Sequence, residues 1–515
     1  MAKKSSKNKQ SKILGVISIL LVLILYILIA SILWGSKNFG NVSMEEIIFT
    51  LRMPLSGSGS DFVSDYILKV LIPGIVFFII FTVLIIKPKN YTYKICILHK
   101  IITLYPFKIN GLVLIISIII GLVGSVKLAD KNFKIIEYAK NQITSSTFIE
   151  DNYVFPEDVK LTFPSEKRNL IYILLESGET SIQDRENGGF FDQNPISEMT
   201  QIAKDNVSFS QNEKIAGGGT PSGCTWTMAG MVSQFSGIPL NLGGKIDCNN
   251  MDQYENFLPG VTSLGDILEK EGYNNYFMIG SDAKFSGRDK FMHQHGNYEI
   301  WDYYTAVSKG KIPIDYFRWW GYEDQKLYEY AKEELTRISQ NEEPFNFTML
   351  TVDTHHMGGY VCPLCRNDFS EQYENVWACA SRQLNDFLNW IKEQPFYENT
   401  TIVISGDHCS MDSDYYNDEE NSYATPNKED SRKVYNAIVN SPIEPINEKN
   451  RRFITLDMFP TTLAALGVDI EGERLGLGTN LFSEKETLSE EYGYDLLYEE
   501  FQQKSYFYFN TFLYK

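Results

Sequence analysis

The chain has 515 residues, too many for one small domain and enough to bury a large core. Its formal net charge of -18 argues against nucleic acid as a partner of the chain as a whole. Aromatic residues make up 14% of it, with 31 Tyr and 32 Phe, which excludes a disordered chain and fits a folded body with well-packed cores.

The N-terminus, MAKKSSKNKQSK, carries five lysines and no acid. An uncharged run from Ile13 to Trp34 comes next. It is too long for the core of a cleaved secretory signal, and no small-residue cleavage site lies beyond it, so it reads as a retained membrane helix. A second apolar run covers Ile67 to Ile86 and a third Ile109 to Val126. Each approaches the roughly 20 residues needed to cross the hydrocarbon layer. Pro73 and Gly74 are tolerable inside such a helix. The loop KPKNYTYKICILHK after the second run is rich in Lys, whereas the loop before it carries Glu45, Glu46, Asp61 and Asp65. The positive-inside rule therefore places the N-terminus and the Lys-rich loop in the cytoplasm and everything beyond about residue 128 outside. Residues 1–127 thus read as a membrane anchor with three transmembrane helices. Residues 128–165 read as an extracellular, partly helical connector ending near Pro156 and Pro164.

From about residue 166 to 484 the pattern changes. Short β-rich runs, NLIYILLES, YNNYFMIGSD, FNFTMLTVDTHH and TTIVISGDH, alternate with helical stretches such as VTSLGDILEKEG and Glu323 to Ile338. This alternation predicts an α/β domain with a central, mostly parallel sheet and helices on both faces. Ligand sites in such sheets collect at the carboxyl ends of the strands. All four runs deliver polar groups at that end: Glu176; Ser281 and Asp282; Asp353, His355 and His356; and Asp407 with His408. His293 and His295 come after the second run and read equally well as structural residues. The last segment, 485–515, is aromatic-rich (YFYFNTFLYK) and fits either packing on the domain or a place at the membrane interface.

Glu176, Asp407 and His408 offer the carboxylate oxygens and imidazole nitrogen that a divalent cation takes. Coordination of a hydroxyl would lower its pKa and make it a nucleophile. The Gly-rich segment GGGTPSGCTWTMAGM, residues 217–231, is the obvious source of that hydroxyl or thiol. Its TWTMAGMVSQ portion reads as a helix start, where negative charge is stabilised.

Taken together, LLES, the Gly-Cys-Thr-Trp-Thr turn with AGMVSQ and GIPL, FSGRD, TVDTHH and SGDH resemble the lipoteichoic acid synthase and phosphoglycerol transferase group of the alkaline phosphatase/sulfatase superfamily. The resemblance covers roughly residues 165–480 and lies closest to phosphoglycerol transferases that modify glycans. It implies a sulfatase-like α/β sandwich with one divalent metal ion, Mn²⁺ or Mg²⁺ with Zn²⁺ as an alternative. It implies metal ligation by Glu176, Asp407, His408 and the nucleophile. It further implies that Arg288 of FSGRD holds the substrate phosphate, that His355 serves as hydrogen-bond donor or general acid, and that His355 and His356 both contact the substrate. The implied reaction passes glycerol phosphate from phosphatidylglycerol, through a covalent phosphoenzyme, to a cell-surface glycan or polymer on the outer face of a bacterial membrane. Phosphoethanolamine transfer, phosphodiester or sulfate-ester hydrolysis, and a non-catalytic role are the competing readings. The family nucleophile is a threonine, but counting back from Ala229-Gly230-Met231 puts its position on Cys224, one residue before Thr225. Thr225 after a one-residue shift, Cys224 itself, and an altered site all remain open.

Of seven cysteines, Cys224, Cys248, Cys362, Cys365, Cys379 and Cys409 fall on the outer side, where disulfides persist. Cys365 with Cys379 resembles a pair of the family, Cys224 with Cys248 is an alternative pairing, and a zinc site on the Cys362-Cys365 motif competes with both.

Overall fold

The computed structural model describes residues 2–39, 44, 47–48, 60–86, 93–97, 100–104, 111–241, 256–416 and 432–513. The chain divides into two compact units, one of residues 1–40 and 59–137, the other of residues 41–58 and 138–515.

The first unit contains the helix Ala2–Phe39, the helix Ile72–Ile86 and the helix Gly111–Phe133. Two segments, Ile19–Asn38 and Val63–Ile80, are long and apolar enough to cross a membrane. The third expected span, Ile109 to Val126, begins outside the described residues and otherwise overlaps Gly111–Phe133, a helix of 23 residues whose side chains before residue 118 also lie outside the described set. At the end of the Lys-rich loop, β1 (Tyr93–Ile97) pairs antiparallel with β2 (Lys100–Leu104).

In the second unit, β3 (Leu161–Thr162) pairs with Asp469–Ile470 at the edge. The main sheet has six strands: β4 (Asn169–Leu175), β5 (Asn274–Ile279), β6 (Glu299–Trp301), β7 (Phe345–Leu350), β8 (Thr400–Gly406) and β9 (Asn436–Val439). Their order is β6-β5-β7-β4-β8-β9, parallel except for β9, which runs antiparallel to β8. The four expected strands are the inner four. The short β6 and the antiparallel β9, neither of them anticipated, flank them as edges.

β4 shows why its run from Leu170 to Leu175 is apolar without interruption. Leu170, Tyr172 and Leu174 pack into one core with the helices Thr227–Ser236, Leu264–Lys270 and Met458–Ala465. Ile171, Ile173 and Leu175 pack into the other with the helices Ser197–Asp205, Asp324–Ile338 and Gln372–Lys392. A strand covered on both faces needs an apolar residue at every position. The C-terminal segment packs on this unit: Tyr508 Oη donates to Pro239 O at 2.8 Å, and Phe512 is fully buried against Tyr153.

Candidate metal and phosphoryl-transfer site

The parallel pairing of β4 and β8 brings Leu175 opposite Gly406. The next residues of both strands, Glu176 and Asp407, therefore leave the same edge of the sheet together, and His408 comes directly after. Ligand atoms of Glu176, Asp407 and His408 all lie within 4.8 Å of one another, and the three residues are 2%, 0% and 1% exposed. The backbone fixes each one. The Glu176 amide donates to Thr351 Oγ1 at 3.0 Å, and Asp407 N donates to Leu175 O at 3.1 Å. Ser177 takes a left-handed φ of 56°, which aims its N–H at Asp407 Oδ1, 2.8 Å away.

This arrangement fits a divalent cation on three counts. Asp407 Oδ2 is buried and makes no hydrogen bond. His408 Nδ1 donates to Cys409 O at 2.8 Å, so its Nε2 turns a lone pair toward Glu176 Oε1 and Asp407 Oδ2, each 3.5 Å away. Two buried carboxylates face one imidazole. Burial opposes charge on His408, but Asp407 and Glu176 outweigh it and hold the imidazole well above its usual range. Burial and the Glu176 charge raise Asp407 as well. Both shifts come from two carboxylates and an imidazole held together out of water.

The hydroxyl at this cluster belongs to Thr227. Its Oγ1 donates to Glu176 Oε2 at 3.2 Å and lies 3.4 Å from His408 Nε2. Thr227 is the first residue of the helix Thr227–Ser236, with Trp226 as N-cap. The expectation of Thr225 or Cys224 at this place is corrected. Cys224 faces the apolar core, fully buried, and burial pushes its thiol up to about 12, out of reach of a nucleophile working near neutral pH. Thr225 Oγ1 is buried and makes no hydrogen bond. Both residues belong to the incoming loop, and only the residue that opens the helix reaches the ligands. The helix approaches so closely that a Cβ added at Gly230 would lie 2.2 Å from Asp407 O, so glycine is required at that contact.

The other expected residues gather around the same point. Arg288 opens the helix Arg288–Gln294 and is 6% exposed. Its Nη2 donates to Ser281 Oγ at 3.3 Å and Asp282 O at 3.0 Å, while Nε is buried without a partner. Burial lowers its guanidinium to about 10 against the opposing charge of Glu176, which places Arg288 within electrostatic reach of the ligands. His355 Nδ1 donates to His356 O at 2.7 Å, which leaves Nε2 available to exchange a proton. Its ring packs against Trp320 and His356, with centroids 4.7 and 4.5 Å away. Burial lowers the pKa of both histidines, and Glu176 opposes the shift in each. By contrast, His295 is structural: Nδ1 meets Asp266 Oδ2 at 3.1 Å and Nε2 meets Phe257 O at 2.7 Å.

Sequence reasoning missed two supporting groups. Asp324, on the helix Asp324–Ile338, accepts the amides of Val352 at 2.8 Å and Asp353 at 3.0 Å and so anchors the loop that carries His355. Glu179 forms a buried ion pair with Arg432, and it accepts the Ser410 amide just beyond His408. Acids on a helix or in a loop give no periodic signal.

The expected Cys365–Cys379 disulfide is not formed; both are free thiols, as are Cys224, Cys362 and Cys409. Cys248 lies outside the described residues.

A doubly covered, mostly parallel sheet thus gathers two acids and a histidine at its strand ends. The model of the sulfatase family matches residues 168–468, and the chain belongs to that family. Among curated proteins it is similar to phosphoglycerol transferase I of Escherichia fergusonii, 28% identical over 472 residues, 90% of this chain and 56% of that protein. It is also similar to phosphoglycerol transferase I of Citrobacter koseri, 29% identical over 409 residues, 77% of this chain and 49% of that protein. The chain spans about half the length of these relatives. Two solved structures share the fold. The lipoteichoic acid synthase LtaP of Listeria monocytogenes has a TM-score of 0.50 and 19% identity, over 66% of this chain and 82% of that one. The integral membrane lipooligosaccharide phosphoethanolamine transferase of Neisseria meningitidis has a TM-score of 0.51 and 12% identity, over 88% of this chain and 84% of that one.

Proposed function

We propose that the chain is a membrane-anchored phosphoglycerol transferase with an outward-facing catalytic domain, three transmembrane helices and a phosphatidylglycerol-type donor. The observation that carries this reading is the Thr227 hydroxyl, held at a helix N-terminus against Glu176 and His408. Glu176, Asp407, His408 and Thr227 would hold one divalent cation, and their oxygen-rich set suits Mn²⁺ or Mg²⁺. When bound, that ion supplies Lewis acidity and lowers the pKa of the Thr227 hydroxyl.

The Thr227 hydroxyl gives its proton to Glu176 Oε2, the carboxylate it already donates to, and Oγ1 attacks phosphorus, forming an O–P bond as the bond to the diacylglycerol oxygen breaks. Arg288 neutralises the phosphate oxygens, and its buried guanidinium matches their geometry. His355, protonated on Nε2, gives that proton to the departing diacylglycerol oxygen; in the second half-reaction it takes one from the acceptor hydroxyl, whose oxygen bonds phosphorus as the Thr227–O–P bond breaks and Thr227 recovers its proton from Glu176. The acceptor is a glycan or polymer hydroxyl at the cell surface. Similarity to phosphoglycerol transferases supports the choice of headgroup over ethanolamine phosphate.

The test is to incubate the full chain in detergent with Mn²⁺ and phosphatidylglycerol labelled in its headgroup. Diacylglycerol release that requires Thr227 supports the reading. Release of free glycerol phosphate, undiminished by added glycan, would mark a hydrolase, and no release from any phospholipid would overturn the proposal.

A further inference from the structure

Cys362, Cys365 and Cys379 meet on the far side of the loop that carries His355 and His356. Cys362 Sγ lies 3.6 Å from Cys379 Sγ and 3.7 Å from Cys365 Sγ, and the three sulfurs all lie within 4.8 Å of one another. Cys362 and Cys379 are buried, whereas Cys365 is half-exposed. The Cys362 thiol, hydrogen-bonded to Cys365, is the main influence pushing Cys365 up to about 12, so the three sulfhydryls crowd one another as neutral groups.

We propose that these three cysteines form a metal site for a thiophilic d¹⁰ cation of the Zn²⁺ class. A tetrahedral zinc with Zn–S bonds of about 2.3 Å spaces its sulfurs about 3.8 Å apart. The observed spacings match that edge. A disulfide would use only two of the sulfurs and leave the third as a stranded thiol, and the nearly equal distances favour neither pairing from Cys362. A cation uses all three. Gln383 Nε2 donates to Cys379 Sγ at 3.4 Å and to Cys362 Sγ at 3.9 Å, the N–H···S contacts that steady thiolate ligands. Arg382, one turn beyond Cys379 on the same helix and paired with Asp368, adds positive charge near Cys379. Among the described residues no further His, Cys, Asp or Glu joins the cluster, which leaves the fourth position to a ligand entering from the half-exposed Cys365 side. The ion ties the segment after His355 and His356 to the helix Gln372–Lys392, and so fixes the histidine loop from behind. This soft, all-sulfur set is separate from the hard set at Glu176, and the two sites select different metals.

The test uses the full chain purified without reductant and titrated with Co²⁺ alone. The Glu176 site has no sulfur, so a thiolate-to-cobalt charge-transfer band reports this cluster specifically. The expected result is one band that saturates at one equivalent, is bleached by Zn²⁺ and disappears in Cys365→Ser, the most exposed of the three. In the unmutated chain, Zn²⁺ should slow alkylation of the three thiols by ~10-fold or more, a readout that does not depend on a variant folding. No charge-transfer band, alkylation equal with and without Zn²⁺, or a disulfide between any two of the three found by mass spectrometry would each overturn the proposal.

Discussion

The two halves of the active centre are specified by different kinds of structure. Glu176, Asp407 and His408 sit one or two residues beyond strands whose pairing leaves no freedom: Leu175 lies opposite Gly406, so the residues that leave the two strand ends must emerge side by side. Thr227 arrives by a loop of glycines and a helix start, where no ladder counts residues. Strand register can be read from apolar runs, because a slip of one residue turns every side chain to the other face. A loop entering a helix carries no such ruler. Counting along residues 217–231 therefore points to Thr225 and Cys224, two and three residues short of the hydroxyl that reaches the ligands.

Several experiments would break or sharpen this contrast. Thr227→Ala should reduce diacylglycerol release by ~10³-fold or more, while Thr225→Ala and Cys224→Ala stay within a few fold in kcat. Equal losses from Thr225→Ala would return the nucleophile to the loop. Removing metal with a chelator should abolish the same activity, with recovery on adding Mn²⁺, and Asp407→Asn should weaken that recovery. His355→Gln should cost roughly 10²-fold in kcat with little change in KM, the signature of a proton carrier rather than a binding group. Gly230→Ala pushes the helix away from Asp407 and should cost roughly 10-fold or more in turnover, since small displacements of a nucleophile are expensive.

The smallest effect concerns stability. Burial pushes the Asp457 carboxyl, which accepts the amides of Ile454 and Thr479, up from 3.8 to about 7. Its folded pKa lies above its unfolded one, so its contribution to stability is fully present below about pH 4 and is lost as pH rises through about 7. Asp457→Asn should flatten the fall in Tm between about pH 4 and about pH 7, measured by circular dichroism. A fall as steep as that of the unmutated chain would remove Asp457 from the account.

Much of the fold is legible for the same reason as the strand-end ligands. The cores of NLIYILL and TTIVISG, Leu170–Leu175 and Ile402–Ile404, are apolar without a break because both faces of the sheet are covered. The edges are not legible. β6 has three residues, too few for a pattern, and β9 lies beyond the site in a segment with no alternation signal. Arg288 is marked by FSGRD, whereas nothing marks Asp324. Its role is to accept two loop amides, and the spacing of an acid at a helix start does not announce which loop it will hold. The cysteines show the converse. Spacing alone allows many pairings, and only the packing of the segment after His356 against the helix Gln372–Lys392 brings three sulfurs together.

The measurement that bears most directly on the central claim is peptide mass spectrometry of the full chain quenched during turnover of phosphatidylglycerol without an acceptor. The account predicts a glycerol phosphate adduct on Thr227 and on no other residue of the segment 217–231. An adduct on Thr225 or Cys224, or turnover with no covalent adduct on the segment, would contradict it.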